Sequence, residues 1–213
     1  MAQGLIIEGI PLTGKTSLLN GIERSDYLCN LTQSTKLIYH ENLTQRVLEK
    51  FYNKGFLDKH SNIDFLYGIT NHLLMQEEFL KLRGFPSNEL IFILERFHLT
   101  HVAYYPSLKW EDVFSINESL NLLNTKVVLL TIDRNTFKTR LEERKDTGFA
   151  NYIKRYGKDL ETILDHYMKS QDHYLELADK SNLDYIVLPS HSLTKEEVLN
   201  QTLNFFLKHE STR

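Results

Sequence analysis

The amino-acid sequence predicts an α/β fold in which a five-stranded parallel sheet carries helices on both faces. Short apolar segments rich in β-branched residues alternate with longer segments of helical periodicity, which is typical of βαβ units. The first apolar segment also runs directly into a glycine-containing turn and then into a helical pattern. Both observations favour one doubly covered sheet.

The individual elements follow from the hydrophobic pattern in chain order. We expect strands over residues 4–8, 35–40, 90–95, 125–133 and 183–188. Helical periodicity falls between and after them, over residues 16–23, 61–83, 110–123, 135–144 and 151–179. The last helix is expected to begin at Thr194, because Glu197 completes a capping box. Ligands of such a sheet bind at the carboxyl ends of its strands.

Length and composition define a broad class. The 213 residues, 41% hydrophobic and 25% charged, suit a single domain over residues 1–213. A formal charge of −3 argues against a general nucleic-acid partner, which needs a broad basic surface. A lone cysteine, Cys29, suits a reducing compartment, and no apolar run reaches the ~20 residues of a membrane span. We therefore expect a cytoplasmic protein with no membrane partner.

The most informative segment is residues 9–16 (GIPLTGKT), which satisfies the pattern G-x-x-x-x-G-K-[ST]. Backbone N–H groups of such a loop, with the positive end of the following helix, bind phosphate. Lys15 would contact the β- and γ-phosphates of ATP, and the Thr16 hydroxyl would bind Mg²⁺. The residues expected to bind the nucleotide are Gly9, Pro11, Leu12, Thr13, Gly14, Lys15, Thr16 and Ser17. The alternative is a glycine-containing turn without a ligand.

Short motifs after the first three strands resemble those of the thymidylate kinase and deoxynucleoside kinase superfamily. Residues 7–10 (IEGI) resemble the E-G-I of thymidylate kinases, and residues 40–42 (HEN) resemble their R-E-P. Residues 95–97 (ERF) resemble their D-R-Y and the E-R-S of deoxynucleoside kinases. The resemblance implies a P-loop kinase fold and an ATP- and Mg²⁺-dependent transfer to a nucleoside monophosphate or a nucleoside. The family also suggests a homodimer.

The resemblance assigns roles to the matched residues. Glu41 would accept a proton from the attacking hydroxyl or hold a sugar hydroxyl. Glu95 would hold Mg²⁺ through water, and Arg96 would bind the transferred phosphoryl group or the acceptor's phosphate. Tyr67 falls where thymidylate kinases stack an aromatic ring on the base. The alternatives are a solvated strand end for Glu41, a structural ion pair for Glu95 and Arg96, and a core aromatic for Tyr67.

Residues 140–157 fall where this superfamily places its lid over the phosphates. Arg140 and Arg144 are separated by one helical turn, so both would point at a bound nucleotide and stabilise transition-state charge. Some thymidylate kinases place a catalytic side chain in the phosphate loop where this chain has Pro11, which favours a catalytic arginine from the lid. Arg155 is a further candidate. The alternative is a solvated helix end of alternating charge.

Two positions depart from the thymidylate kinase pattern. His40 replaces the R-E-P arginine, and Asn71 stands where the family has a phosphate-binding arginine. Arg46 is the nearby cationic replacement, and Arg46 and Asn71 are expected to contact the acceptor. We therefore expect dTMP to be a poor acceptor. A kinase of another small-molecule alcohol and a non-catalytic nucleotide-binding P-loop protein are the alternatives.

Overall fold

Parallel strands form one five-stranded sheet in the described part of the chain. The computed structural model describes residues 2–31, 34–48, 58–85, 90–144 and 147–208. The strands are β1 Gln3–Glu8, β2 Thr35–Tyr39, β3 Leu90–Glu95, β4 Thr125–Thr131 and β5 Asp184–Pro189. Their order is β2-β3-β1-β4-β5, and each neighbouring pair is parallel. The predicted sheet is thus confirmed.

Helices cover both faces of this sheet. They are α1 Lys15–Glu23, α2 Asp26–Asn30, α3 Lys59–Leu82, α4 His98–Tyr104, α5 Trp110–Leu122, α6 Arg134–Glu143, α7 Thr147–Ile153, α8 Leu160–Lys180 and α9 Lys195–Leu207. A π-helical turn, Asn42–Arg46, follows β2, and a 3₁₀ turn, Lys154–Tyr156, follows α7. The sequence pattern did not predict α2, α4 or the π-helical turn.

The side chains of the central strands alternate between two apolar cores. In β1, Ile6 lies in one core, whereas Leu5 and Ile7 lie in the other. Side chains of α3 to α6 and α8 complete the first core, and side chains of α1 and α9 complete the second. Because each face is buried, the central strands are apolar throughout rather than alternating.

The region predicted as one long helix, residues 151–179, contains a break. Helix α7 ends at Ile153, and α8 begins only at Leu160. A Cβ on Gly157 would lie 2.8 Å from the Thr162 Cβ, so this position has no room for a side chain. The Asp159 carboxylate then accepts a hydrogen bond of 2.8 Å from the Thr162 N–H and caps the new helix. The prediction of a continuous helix was wrong.

The ends of other elements follow local capping. Strand β4 ends at Thr131 rather than at Asp133, because the Asp133 carboxylate accepts hydrogen bonds from the first N–H groups of α6. The capping box at Thr194 and Glu197 is confirmed, with the two residues bonded in both directions. Within the described residues, no helix is both long enough and apolar enough to cross a membrane.

Candidate active site

The glycine-containing loop connects β1 to α1 at the carboxyl edge of the sheet. Gly9 has a φ of 135°, and a Cβ there would lie 2.4 Å from the Leu130 carbonyl oxygen. Gly14 has a φ of 94° and precedes α1 without capping that helix through a side chain. Leu12 also has a left-handed φ, 65°, which costs a non-glycine residue energy. Because no side chain caps α1, the first N–H groups of this helix are available at the end of the loop, where an anion can accept hydrogen bonds from them.

Lys15 is buried under this loop. Its ammonium donates hydrogen bonds to the Ile10 carbonyl oxygen at 2.7 Å and to Thr13 Oγ1 at 3.4 Å. Burial, and after it the nearby Arg96 charge, lower the pKa of Lys15 to about 7, against the attraction of neighbouring carboxylates. A polyanion bound in the loop would favour the protonated form.

Thr16 and Glu95 bring a hydroxyl and a carboxylate together beside the loop. Thr16 Oγ1 donates a 2.6 Å hydrogen bond to Glu95 Oε1, and the Glu41 N–H donates to Glu95 Oε2 at 3.2 Å. No group of three histidine, cysteine, aspartate or glutamate residues suited to a metal occurs among the described residues. Mg²⁺ in phosphotransferases is held by one or two carboxylates and mainly by substrate phosphates. The pair of Thr16 and Glu95 therefore fits Mg²⁺ that arrives with a nucleotide.

Glu41 lies between two arginines in the same cleft. Arg46 Nε donates a 2.9 Å hydrogen bond to Glu41 Oε1, and Arg96 Nε lies 3.4 Å from Glu41 Oε2. Burial raises the pKa of Glu41, but the charges of Arg96, Lys15 and Arg46 outweigh it and hold that pKa at about 2. Glu41 is therefore ionised at neutral pH and can accept a hydrogen bond from a ligand hydroxyl.

Arg96 is held in a strained backbone conformation. Its φ is 60°, and its N–H donates to the Ile7 carbonyl oxygen at 2.9 Å. The side chain is almost fully buried, and its guanidinium lies 5.7 Å from the centre of the Tyr104 ring. Its Nε and Nη1 make no hydrogen bond within the described residues. Such a group is suited to bind an anion that enters the cleft.

Glu8 anchors the segment after Arg96. Its buried carboxylate accepts hydrogen bonds from the N–H groups of Phe97 at 2.9 Å and Thr100 at 3.3 Å, and from Thr100 Oγ1 at 2.5 Å. Burial raises the pKa of Glu8, partly offset by these hydrogen bonds. The IEGI motif contained this glutamate, but its position on a buried strand gave no sign of which segment it would bind.

The two arginines of the predicted lid both line the cleft, in different ways. Arg140 donates to the Leu12 carbonyl oxygen at 2.8 Å and to the Ser190 carbonyl oxygen at 3.0 Å. Helix α6 ends at Glu143, so Arg144 is extended and does not share the helix face of Arg140 as expected. The Arg144 guanidinium instead lies 3.9 Å from the centre of the Phe149 ring.

Most of these groups border one cleft with a volume of about 990 Å³, whereas Glu8, Gly9 and Glu95 are not among its lining residues. Its lining includes the phosphate loop, Arg140, Ser190 and Leu193, together with Glu41 and Arg96. Gln45 and Tyr104 line it as well, although neither was predicted as a site residue. The sequence carries no signal that would single out Gln45. The volume is large enough for a nucleotide and a second small molecule.

Some predicted residues lie elsewhere. The Tyr67 hydroxyl shares a hydrogen bond with Ser115 Oγ on α5, and Asn71 is exposed on α3. His40 Nε2 lies 3.1 Å from Glu23 Oε1. Arg155 stacks on Tyr152, with 3.5 Å from its guanidinium carbon to the ring centre. These four predicted residues (Tyr67, Asn71, His40 and Arg155) are not among the described residues that line the cleft, and their roles stay predictions.

Comparison with known proteins adds similarity at the level of the fold. No protein-family model matches the chain, and no curated protein matches it. Among solved structures, the YorR protein of Bacillus subtilis in complex with phosphorylated GDP is similar, with a TM-score of 0.57, 16% identity and 94% of each chain covered. Thymidylate kinase from Candida albicans is similar with a TM-score of 0.52 and 16% identity, over 96% of this chain and 90% of that chain.

These likenesses identify a class by its fold. The chain has the α/β fold of P-loop nucleotide kinases, as its sequence predicted. The loop of residues 9–16 occupies the position between β1 and α1 that this fold reserves for phosphate binding.

Proposed function

We propose that the protein is an ATP- and Mg²⁺-dependent phosphotransferase whose acceptor is a nucleoside monophosphate or a nucleoside. The observation that carries the proposal is the pairing of two half-sites in one cleft. Lys15, Thr16 and the phosphate loop form one half, and ionised Glu41 beside Arg96 forms the other. A simple nucleotide-binding site needs the first half only.

The donor half would hold the triphosphate of ATP. Loop N–H groups and the protonated Lys15 would bind the β- and γ-phosphates, which would replace the Ile10 carbonyl as the partner of Lys15. Thr16 and Glu95 would hold Mg²⁺, which neutralises charge that develops on the phosphate oxygens. Arg140 or Arg144 would add a cation from the lid side.

The acceptor half would orient a hydroxyl or phosphate oxygen toward the γ-phosphorus. Glu41 would accept a hydrogen bond from an acceptor hydroxyl and take its proton as the new P–O bond forms and the bond to the ADP oxygen breaks. Its low pKa makes it a weak base, so the proton would move late in the reaction. Arg96 would stabilise the transferred group. The phosphorylated GDP bound to YorR, and the likeness to the thymidylate kinase from Candida albicans, support nucleotides as ligands of this fold.

A screen with ATP labelled on the γ-phosphate tests this function. The purified chain and Mg²⁺ are incubated with each common nucleoside, each monophosphate and a set of non-nucleotide alcohols, and labelled products are separated by chromatography. We expect label on at least one nucleoside or monophosphate. Glu41→Gln should lower that turnover at least ~10²-fold, as loss of a general base does. Glu23→Gln, which changes a carboxylate paired with His40 outside the cleft lining, is the matched control.

Label only on a non-nucleotide alcohol would move the acceptor class to the stated alternative. Binding of ATP without transfer to any acceptor would instead make the chain a non-catalytic nucleotide-binding protein. Either result contradicts the proposed function.

A further inference from the structure

We infer that Gln45 is a specificity-determining residue that recognises the acceptor through hydrogen bonds from its side-chain amide. The inference rests on the proposed function, because it concerns the acceptor half of the same cleft. No sequence motif assigns a role to Gln45, and the inference comes from its position in the folded chain.

Gln45 is almost fully buried, and the described residues provide no hydrogen-bond partner for its side-chain amide. The residue is 2% exposed and lines the cleft beside Glu41, Arg46 and Arg96. Across residues 2–31, 34–48, 58–85, 90–144 and 147–208, no hydrogen bond reaches its side chain. Its amide nitrogen and oxygen are not among the polar atoms that are both fully enclosed and unpaired. Its polar atoms therefore meet the cleft surface. Buried polar groups are nearly always hydrogen-bonded, so this amide is suited to a ligand.

The preceding residue fixes the position of Gln45. Thr44 Oγ1 donates a 2.5 Å hydrogen bond to the Glu95 carbonyl oxygen, and the Thr44 carbonyl lies 2.8 Å from His101 Nε2. His101 is buried on α4 and lies 2.6 Å from Asn62 Oδ1 of α3. The π-helical turn is thus tied to β3 and α4, and through His101 to α3. Because the backbone that carries Gln45 is held in place, less entropy is lost when its side chain binds a ligand.

Two arginines and one carboxylate line the cleft beside Gln45. Arg46 and Arg96 both contact Glu41, as described above. The neutral amide therefore adds hydrogen-bonding specificity rather than charge. A carboxamide offers two N–H donors and one carbonyl acceptor, so its complement is a ligand edge with an acceptor next to a donor. Nucleobase edges and neighbouring sugar hydroxyls both have this chemistry.

Kinetics of two variants test the inference. Gln45→Met keeps the length of the side chain but cannot form these hydrogen bonds, and Gln45→Glu keeps the length but loses the N–H donors. Each is assayed with the best acceptor of the wild type, and with analogues in which the base edge or the sugar hydroxyls are altered. Gln201→Met, on the exposed part of α9, is the matched control. Thermal melting reports folding, and calorimetric titration reports acceptor binding without ATP.

We expect the KM of the best acceptor to rise about tenfold in Gln45→Met, while the KM of ATP stays within about twofold. The wild type should prefer its best acceptor over the analogues, and Gln45→Met should lose this preference toward one of the two kinds of analogue. Loss toward the base-edge analogues would indicate that Gln45 recognises the base, and loss toward the sugar analogues would indicate that it recognises the sugar. Unchanged acceptor KM and unchanged preference in folded variants would overturn the inference while leaving the kinase intact. Equal changes in both KM values would overturn it too.

Calorimetry separates this inference from the proposed function. If the wild type transfers no phosphate but binds a nucleoside or monophosphate in a Gln45-dependent way, the proposed kinase activity fails and the recognition stands. If Gln45→Met does not fold, Gln45→Glu is measured, because it retains both size and polarity. Binding that neither variant weakens contradicts the inference.

Discussion

Lys15 and Arg96 are two cations buried within one cleft, and their burial is costly without anions. Desolvation and the charge of Arg96 together lower the pKa of Lys15 to about 7. Glu41 offsets part of this cost by pairing with Arg96 at 3.4 Å. A polyphosphate would relieve the rest, since it brings negative charge to the loop. The buried charges of Lys15 and Arg96 therefore favour a polyanion as the ligand of this cleft.

Arg140 provides a residue-scale prediction about stability. It donates to the carbonyl oxygens of Leu12 and Ser190, and so ties α6 to the phosphate loop and to the end of β5. We expect Arg140→Ala to lower the free energy of unfolding by about 1–3 kcal/mol, measured by urea denaturation, because two charge-assisted hydrogen bonds are lost.

Arg134→Ala is the control for that variant. Arg134 pairs with Glu161 and Asp165 on the surface, so its loss should cost less than about 1 kcal/mol. If Arg140→Ala costs no more than Arg134→Ala, Arg140 does not brace the loop.

At this scale the sequence predicted that the loop of residues 9–16 would lie near Glu41, Glu95 and Arg96. Each of these groups follows or ends a parallel strand, and the carboxyl ends of parallel strands share one edge of the sheet. It could not predict Gln45 or the contacts of Tyr67. Those depend on how a π-helical turn and two helices pack, which no local pattern in the sequence encodes.

The elements with clear periodicity were the ones the sequence predicted well. Both ends of strand β3 were predicted correctly, because polar residues flank its apolar run in the sequence. The break before α8 was missed because it depends on contacts of Gly157 and Asp159 with Thr162 in the folded chain. The hydrophobic pattern of the sequence does not report such contacts. The short helices α2 and α4 hold too few residues to show a period.

The lid region provides an element-scale prediction. Arg144 follows the end of α6 and stacks on Phe149 of α7, so it links two short elements that border the cleft. We expect Arg144→Ala to lower kcat at least ~10-fold and to raise the KM of ATP by less, because its contact with the nucleotide forms mainly when the lid closes.

Steady-state kinetics with varied ATP measure both parameters for Arg144→Ala. Lys154→Ala, a charge change in the neighbouring 3₁₀ turn, is the control. A wild-type kcat in Arg144→Ala would mean that Arg144 does not act on the bound nucleotide.

For the whole molecule, buried histidines predict how stability depends on pH. Burial lowers the pKa of His98 and of His101 to about 4, from an ordinary value of 6.5. As the pH falls from about 6.5 to about 4, these histidines therefore bind protons in the unfolded chain before they do so in the folded protein. Each histidine then lowers the free energy of unfolding by up to about 1.4 kcal/mol per pH unit. The stability they contribute is present above pH 6.5.

Urea denaturation between pH 7 and pH 4.5 measures this dependence. His101→Gln should make the free energy of unfolding fall less steeply with decreasing pH than in the wild type. His72→Gln, which changes an exposed histidine on α3, should leave the slope unchanged. Equal slopes for His101→Gln and the wild type would show that His101 is not buried in its neutral form.

The central claim for the whole molecule is that the cleft transfers phosphate from ATP, and Lys15→Ala tests it most directly. With the acceptor found in the screen, we expect kcat to fall at least ~10²-fold while thermal melting shows a folded protein, because one charge contact in the transition state contributes about 3 kcal/mol. Lys169→Ala, an exposed lysine on α8, should keep wild-type turnover. Unchanged phosphoryl transfer by Lys15→Ala would contradict the account.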